Sequence, residues 1–210
     1  DRTSSDLKLV QIRVEEKPTG EITAGAGIGT SGGSFAFSIS ENNWLGKGIN
    51  LATSLDVSAE TLSGTLIVTD PNYNFSGNTL KYFVQNTSND KPDSGFENSI
   101  IGAGVGTRFE QYKNVYFSPN INLTYDDLTV LSKASSALKK QAGSYTDLSF
   151  GYRVQLDQRD RSFMPTDGFI TSFNQSIPIY ADTPYLLNSL SYAKYNAFSP
   201  DVIGVAKIFG

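Results

Sequence analysis

The sequence predicts an all-β protein, built as an antiparallel meander of about eleven strands. Apolar and polar residues alternate with a period of two over residues 49–57, 115–125 and 147–157. Because side chains on a strand point alternately to its two faces, each segment has one apolar and one polar face. Helical periodicity is confined to residues 128–140, and most connections are short, which favours antiparallel hairpins.

Weaker alternation predicts strands over residues 34–40, 60–70, 80–86, 101–109 and 169–177. Further strand candidates are residues 21–29, 185–197 and 202–209. Residues 128–140 are rich in Ala, Leu and Lys, which favours helix over strand. We therefore expect a short helix there, inside a long loop over residues 125–147.

The composition excludes several functional classes. Charged residues make up 18% and aromatic residues 12% of the chain, which argues against a disordered tail. The chain contains neither Cys nor His, which excludes disulfides, thiolate metal sites and Ser-His-Asp catalysis. The net charge of −4 argues against nucleic acid as a partner, since such binding needs a basic surface.

The connections, taken alternately, fall into two sets. One set covers residues 41–48, 70–77, 109–114, 159–168 and 196–201, and each member carries an aromatic residue at a strand end: Trp44, Tyr73, Phe75, Phe109, Tyr112, Phe163 and Phe198. The other set covers residues 29–33, 56–60, 87–98, 126–147 and 178–184, which are mostly polar and include the longest loops. Short aromatic turns on one rim and longer polar loops on the other are typical of an outer-membrane barrel with an aromatic girdle at its periplasmic interface.

A membrane barrel would turn its apolar faces towards lipid. We then expect the sets Leu51/Leu55, Phe117/Ile121/Leu123 and Phe150/Tyr152/Val154 to face the bilayer. A soluble sandwich or barrel, with the same faces turned inward, is the alternative. Eleven strands do not close the usual bacterial barrel, which has an even number, so the membrane hypothesis predicts that closing strands are missing from this chain.

Three further features of the sequence have structural explanations. Residues 27–32 spell G-x-G-x-x-G, but an alternating strand rather than a helix follows, so we expect a glycine-rich hairpin and no dinucleotide site. The carboxylate pairs Glu15/Glu16, Asp126/Asp127 and Asp157/Asp160 are interpreted as solvated loop or turn charges. An ion-pair cluster is expected among Arg153, Arg159, Arg161, Asp157, Asp160 and Asp167.

Four sequence motifs occur in order along the chain: VEEKPTG at residues 14–20, NWLGKG at 43–48, DPNY at 70–73, and D-x-R-D followed by P-T-x-G within 157–168. Together they resemble motifs of the BamA family of outer-membrane assembly proteins. Residues 14–20 are similar to the V-x-E-x-P-T-G junction between the last periplasmic POTRA domain and the barrel. Residues 43–48 (NWLGKG) and 70–73 (DPNY) resemble two of the family's turns. Residues 157–168 resemble its D-x-R-D…P-T-x-G turn, and all four motifs occur in the family's order and spacing.

The resemblance implies a sixteen-stranded barrel in the bacterial outer membrane that folds and inserts other barrel proteins. Residues 1–17 would end the last POTRA domain and form a hinge, and residues 18–210 would be the N-terminal part of the barrel. The first strand would be a lateral-gate edge for client strands: Glu21, Ile22, Thr23, Ala24, Gly25, Ala26, Gly27, Ile28 and Gly29. The resemblance further implies no enzymatic activity and no cofactor, and it implies three kinds of partner: outer-membrane lipid, nascent barrel clients and accessory lipoproteins.

The sequence is also compatible with three other kinds of protein. A TamA-like protein or a two-partner-secretion transporter would share the barrel. A passive porin-like channel would need no preceding periplasmic strand, whereas residues 7–15 resemble such a strand. A soluble sugar-binding β domain is a third class. The BamA family also has a V-R-G-F loop motif, which would follow shortly after Gly210. POTRA repeats upstream and this motif downstream in the full-length sequence would exclude the channel and the soluble domain.

Overall fold

A computed structural model describes residues 11–15, 17–29, 32–199 and 201–210. In this part of the chain there are eleven strands: β1 Gly20–Gly29, β2 Gly32–Trp44, β3 Ile49–Ser58, β4 Thr61–Tyr73, β5 Asn78–Lys91, β6 Phe96–Tyr112, β7 Val115–Val130, β8 Gly143–Asp157, β9 Asp167–Ala181, β10 Leu187–Ser199 and β11 Val202–Phe209. A four-residue helix, α1 Ser136–Lys139, lies between β7 and β8. No helix in the described residues is long and apolar enough to cross a membrane. The predicted all-β meander is confirmed.

The strands form one eleven-stranded sheet in chain order, and each strand is antiparallel to the next. The connections therefore fall alternately at the two ends of the sheet. We call the end with the β2–β3, β4–β5, β6–β7, β8–β9 and β10–β11 connections the first rim, and the opposite end the second rim. The described sheet is open, with β1 and β11 at its edges.

The register gathers the apolar residues on one face. Opposite residues of an antiparallel pair lie on the same side of the sheet, and Val105, Ile121, Phe150 and Ile177 are opposite one another across β6 to β9. We call this the outer face. The neighbouring row, Gly106, Asn120, Gly151 and Ser176, lies on the inner face.

The outer face has no apolar partner in the described structure. Ala134 is the only buried apolar side chain among the described residues, and outer-face residues such as Leu66, Val84 and Leu123 are 44%, 52% and 49% exposed. The inner face instead lines a cavity of about 980 Å³, with Lys81, Asn120 and Arg153 among its lining residues. A soluble sandwich would bury its apolar faces against each other, so the soluble alternative does not fit this architecture.

The strands extend further towards the second rim than the sequence predicts. A loop is expected over residues 87–98, but β5 continues to Lys91 and β6 begins at Phe96, which leaves a turn of residues 92–95. Residues 126–130 and 143–147 likewise belong to β7 and β8 rather than to a loop. β9 likewise continues to Ala181. Side-chain hydrogen bonds across the ladder explain the difference, because Asn89 bonds Asn98 at 2.9 Å and Thr61 at 3.0 Å, and Ser63 bonds Thr87 at 3.1 Å.

Two smaller expectations also change. The helix is confirmed within residues 128–140, but it is confined to Ser136–Lys139, and residues 128–130 are strand. Residues 11–15 lie in neither helix nor strand, although the sequence predicts a strand over residues 7–15. Residues 7–10 lie outside the described residues, as do Thr30 and Ser31 of the glycine-rich motif. The hairpin expected around that motif is present, with β1 antiparallel to β2.

Candidate functional site

The candidate gate strand, β1, pairs with β2 from Gly20 opposite Glu41 to Gly29 opposite Gly32. All ten of its residues are exposed, and Ile28 reaches 95%. A Cβ added at Gly25 or Gly29 would meet no atom within 4 Å. Side-chain packing therefore contributes little to this strand, and backbone hydrogen bonds hold it in the sheet.

The direction of the backbone groups in β1 follows from one bond at its start. The Asn42 N–H donates to the Thr19 carbonyl at 3.3 Å, which makes residues 19 and 42 a hydrogen-bonded pair of the ladder. Bonded and non-bonded pairs alternate in an antiparallel ladder. The residues that direct their N–H groups away from β2, towards the free side, are therefore Ile22, Ala24, Ala26 and Ile28. In the described structure this free side has no neighbouring strand.

The residues just before β1 are tied to the first-rim turn of β2 and β3. The Thr19 hydroxyl donates to the Glu41 carboxylate, and the same carboxylate accepts the Asn43 N–H at 2.8 Å. The Asn42 side-chain amide donates to the Thr19 carbonyl at 3.2 Å. A Cβ on Gly20 would lie 2.7 Å from Glu41 Oε2, so glycine at this position leaves room for the carboxylate.

Two first-rim turns have the same construction, which sequence reasoning missed. Residues 41–48 and 70–77 align residue for residue as acid-x-Asn-aromatic-x-x-x-Gly. Asn43 Oδ1 accepts the Gly48 N–H at 2.7 Å, and Asn72 Oδ1 accepts the Gly77 N–H at 2.8 Å. Both glycines have positive φ angles, of 68° and 74°. Alignment of the two motifs with each other would have revealed the repeat.

The predicted girdle aromatics all lie at the first rim. Their exposure varies, since Phe75 is 94% exposed, whereas Phe109 packs edge-on against Phe117 with ring centroids 5.7 Å apart. The Phe198 ring lies over Gly204, where an added Cβ would overlap it. The pairing of neighbouring strands changes register close to several of these aromatic residues. The shifts lie between Glu41 and Trp44, Asp70 and Tyr73, Glu110 and Tyr112, and Ala197 and Ser199. Such bulges redirect side chains at strand ends.

The loop between β8 and β9 accounts for the D-x-R-D…P-T-x-G motif. Arg159 binds Asp157 with two bonds, Nε to Oδ1 at 2.8 Å and an η-nitrogen to Oδ2 at 2.7 Å, and this carboxylate raises the pKa of Arg159. Asp160 accepts the Thr166 hydroxyl at 2.6 Å and the Thr166 N–H at 2.9 Å. The hydroxyl above all lowers the pKa of Asp160 to about 2. These residues build the loop rather than a reactive centre.

The expected ion-pair cluster is present in part. Asp157–Arg159 and Asp160–Arg161 are ion pairs, but Arg153 bonds the side chain of Asn174 instead of a carboxylate. Asp167 contributes its backbone N–H to Asp160. Among the described residues no group of three potential ligands could hold a metal ion.

The other carboxylate pairs do not form paired sites. Asp126 and Asp127 are consecutive on β7 and point to opposite faces. Asp127 accepts the Ser144 hydroxyl at 2.6 Å. Glu15 is exposed, and Glu16 lies outside the described residues. Asp126 Oδ1 is buried and has no hydrogen-bond partner among the described residues, so the expectation of solvated loop charges is wrong for Asp126 and Asp127, which belong to a strand.

Comparison with known proteins connects this architecture to a family. A family model of the Omp85 superfamily domain matches residues 43–207. The chain is also similar to the crystal structure of BamA from Haemophilus ducreyi lacking POTRA domains 1–3, with a TM-score of 0.68 and 18% sequence identity. The match covers 93% of this chain and 42% of that one, so the chain spans less than half the length of that structure.

The family match and the fold agree. The matched stretch extends from the end of β2 into β11, which is most of the chain, and the structural match shows that the meander has the fold of part of the BamA barrel. An exposed apolar outer face and a polar inner face are what a barrel in lipid requires. The chain therefore belongs to the Omp85 superfamily and is a β-barrel protein of the bacterial outer membrane.

Proposed function

We propose that this chain is the N-terminal part of a barrel that folds and inserts other β-barrel proteins into the outer membrane, with β1 as the edge that receives client strands. The observation that carries the proposal is the construction of β1. It is an edge strand of the described sheet, its residues are exposed, and Gly25 and Gly29 have no packing neighbours where a side chain would be.

Such an edge suits strand addition. Backbone N–H and C=O groups bind any extended chain regardless of its sequence, as β-augmentation requires. In lipid an unpaired backbone group is expensive, so a client strand that enters beside β1 is stabilised as soon as it pairs. Because one set of backbone bonds replaces another, the reaction needs no cofactor or energy source.

The proposal extends to the rest of the molecule and to its partners. Residues 1–17 would end the last periplasmic domain and form the hinge, and residues 18–210 would form barrel wall, in line with the start of β1 at Gly20. The partners would be outer-membrane lipid, nascent barrel clients and accessory lipoproteins. The aromatic residues of the first rim would lie at the periplasmic interface of the bilayer.

Proline at Ala24 tests the proposal. The Ala24 N–H points to the free side of β1, so Ala24→Pro removes a donor that a client would use and leaves the ladder with β2 intact. One backbone hydrogen bond is worth about 0.5–1.5 kcal/mol, so we expect client porin assembly to slow about two- to tenfold. Heat-modifiability on a gel should report a folded barrel.

Two controls make the result decisive. Gly25→Pro removes a donor to β2, and Ser54→Pro places proline in the interior strand β3, so both should impair folding of the barrel itself. If Ala24→Pro and Ala26→Pro both assemble clients at the parent rate in a folded barrel, β1 is not the client edge. A TamA-like or transporter function, or a passive channel, would then be favoured.

A further inference from the structure

Within its described residues, the segment that precedes β1 is hydrogen-bonded to the rest of the protein at one residue, Thr19. Residues 11–15 and 17–19 form neither helix nor strand, and Ile12 and Val14 are 78% and 86% exposed. The direction in which the segment leaves the sheet therefore depends on the contacts of Thr19.

Glu41 is at the centre of these contacts. Its carboxylate accepts the Thr19 hydroxyl and the Asn43 N–H, so one side chain joins the segment before β1 to the turn after β2. The Asn42 backbone and side-chain amides add two bonds to the Thr19 carbonyl, at 3.3 and 3.2 Å. We call Thr19, Glu41 and Asn42 the clasp.

The second copy of the turn shows that this role is additional to turn formation. Asp70 occupies the position of Glu41 in the repeat, and its carboxylate accepts the Asn72 N–H at 3.0 Å, as Glu41 accepts that of Asn43. The described contacts of the Asp70 side chain stay within its own turn. Glu41 is one methylene longer and forms the same turn while it also holds Thr19.

The two ends of β1 are held differently. The Gly20 end carries the clasp, whereas at the other end the inner-face residues Gly25, Gly27 and Gly29 have no side chains that could pack. We propose that Glu41 is a positioning residue that anchors the start of β1, so that β1 stays paired with β2 at its Gly20 end and frays at its Gly29 end when a client strand pairs with its free side. The functional meaning of this inference rests on the proposed role of β1, while the anchoring itself does not.

A distance measurement in the full-length protein in lipid vesicles tests the anchor. Nitroxide labels at Val14 and Lys113 report the position of the segment relative to the first rim by double electron–electron resonance. We expect one narrow distance in the parent, and a broad distribution in Glu41→Ala and Thr19→Val. Glu41→Gln should restore the narrow distance, because an amide oxygen accepts the same two bonds.

Asp70→Ala is the matched control, since it removes the same turn contact but leaves the clasp intact. We expect it to keep the narrow distance. A narrow distance in Glu41→Ala, or equal broadening in Asp70→Ala, would overturn the anchoring role.

Hydrogen exchange tests the direction of opening. The β1 amides that bond to β2 should exchange slowest at Glu21 and Thr23 and fastest at Gly27, and Glu41→Ala should abolish this gradient. We also expect Glu41→Ala to slow client assembly in a folded barrel. Unchanged assembly, or a flat exchange profile in the parent, would contradict the positioning role. Ala24→Pro tests the proposed function separately. If Ala24→Pro slows client assembly and Glu41→Ala does not, the role of the clasp is rejected and the role of β1 as the client edge stands.

Discussion

Arginine in place of Leu66 should destabilise the protein strongly if the outer face lies in lipid. Leu66 is 44% exposed and lies in the middle of the outer face of β4, opposite Thr53 on β3 and Val84 on β5. An arginine on the lipid face near the bilayer midplane costs about 2–4 kcal/mol. That cost corresponds to a roughly 30- to 900-fold shift of the unfolding equilibrium towards the unfolded state.

The matched control is Thr65→Arg, one residue earlier on the inner face. Thr65 is opposite Ser54 and Gln85, in a polar environment where a lumenal charge is tolerated, so its cost should be much smaller. Urea unfolding in phospholipid vesicles measures both, with the fluorescence of Trp44, the only tryptophan, as one probe. If the outer face were exposed to water, Leu66→Arg would change the free energy of unfolding by no more than about 0.5 kcal/mol. Equal stability of the two variants would therefore refute the assignment of the outer face to lipid.

Two further predictions concern the rims. Protease added to intact cells should cut residues 131–142, which contain the exposed helix Ser136–Lys139, before it cuts residues 158–166, and the opposite order would invert the topology. The folded-state pKa of Asp160 is about 2, below its ordinary 3.8, so the stabilisation that its carboxylate gives the loop is complete above about pH 4 and is lost as the pH falls through 2. Pepsin cleavage of residues 158–166 in detergent should therefore accelerate between pH 4 and 2 in the parent. Asp160→Asn lacks the titrating group, so its cleavage rate should change over this range only as much as the activity of pepsin itself changes with pH.

The sequence was sufficient to predict the strands in the interior of the sheet. Residues 115–125 and 147–157 alternate strictly, because one face meets an apolar environment and the other a polar one. The same rule fails near the second rim, where Asn89, Asn98 and Ser144 extend the ladder. Asn is a weak strand former, and partners that are adjacent only in the folded sheet stabilise these residues there.

The sequence likewise predicts one part of the candidate site and leaves another part to the folded sheet. The glycine and alanine content of residues 21–29 indicates a strand with little side-chain packing. The direction of the Ala24 N–H and the bond between Thr19 and Glu41 depend on the register of β1 against β2, which no local pattern encodes. The repeated turn was present in the sequence, but the role that separates Glu41 from Asp70 depends on a residue outside the repeat.

Disulfide trapping tests directly whether β1 receives the client strand. The chain has no cysteine, so one cysteine introduced at Ala24 is the only thiol that this chain offers to a cysteine in the terminal strand of a stalled client. The matched position is Ser54 on β3, which pairs on both sides within the sheet. We expect a crosslink from residue 24 and none from residue 54 in barrels that are folded and active. A client that assembles normally but is trapped at neither position, or equally at both, would contradict the account.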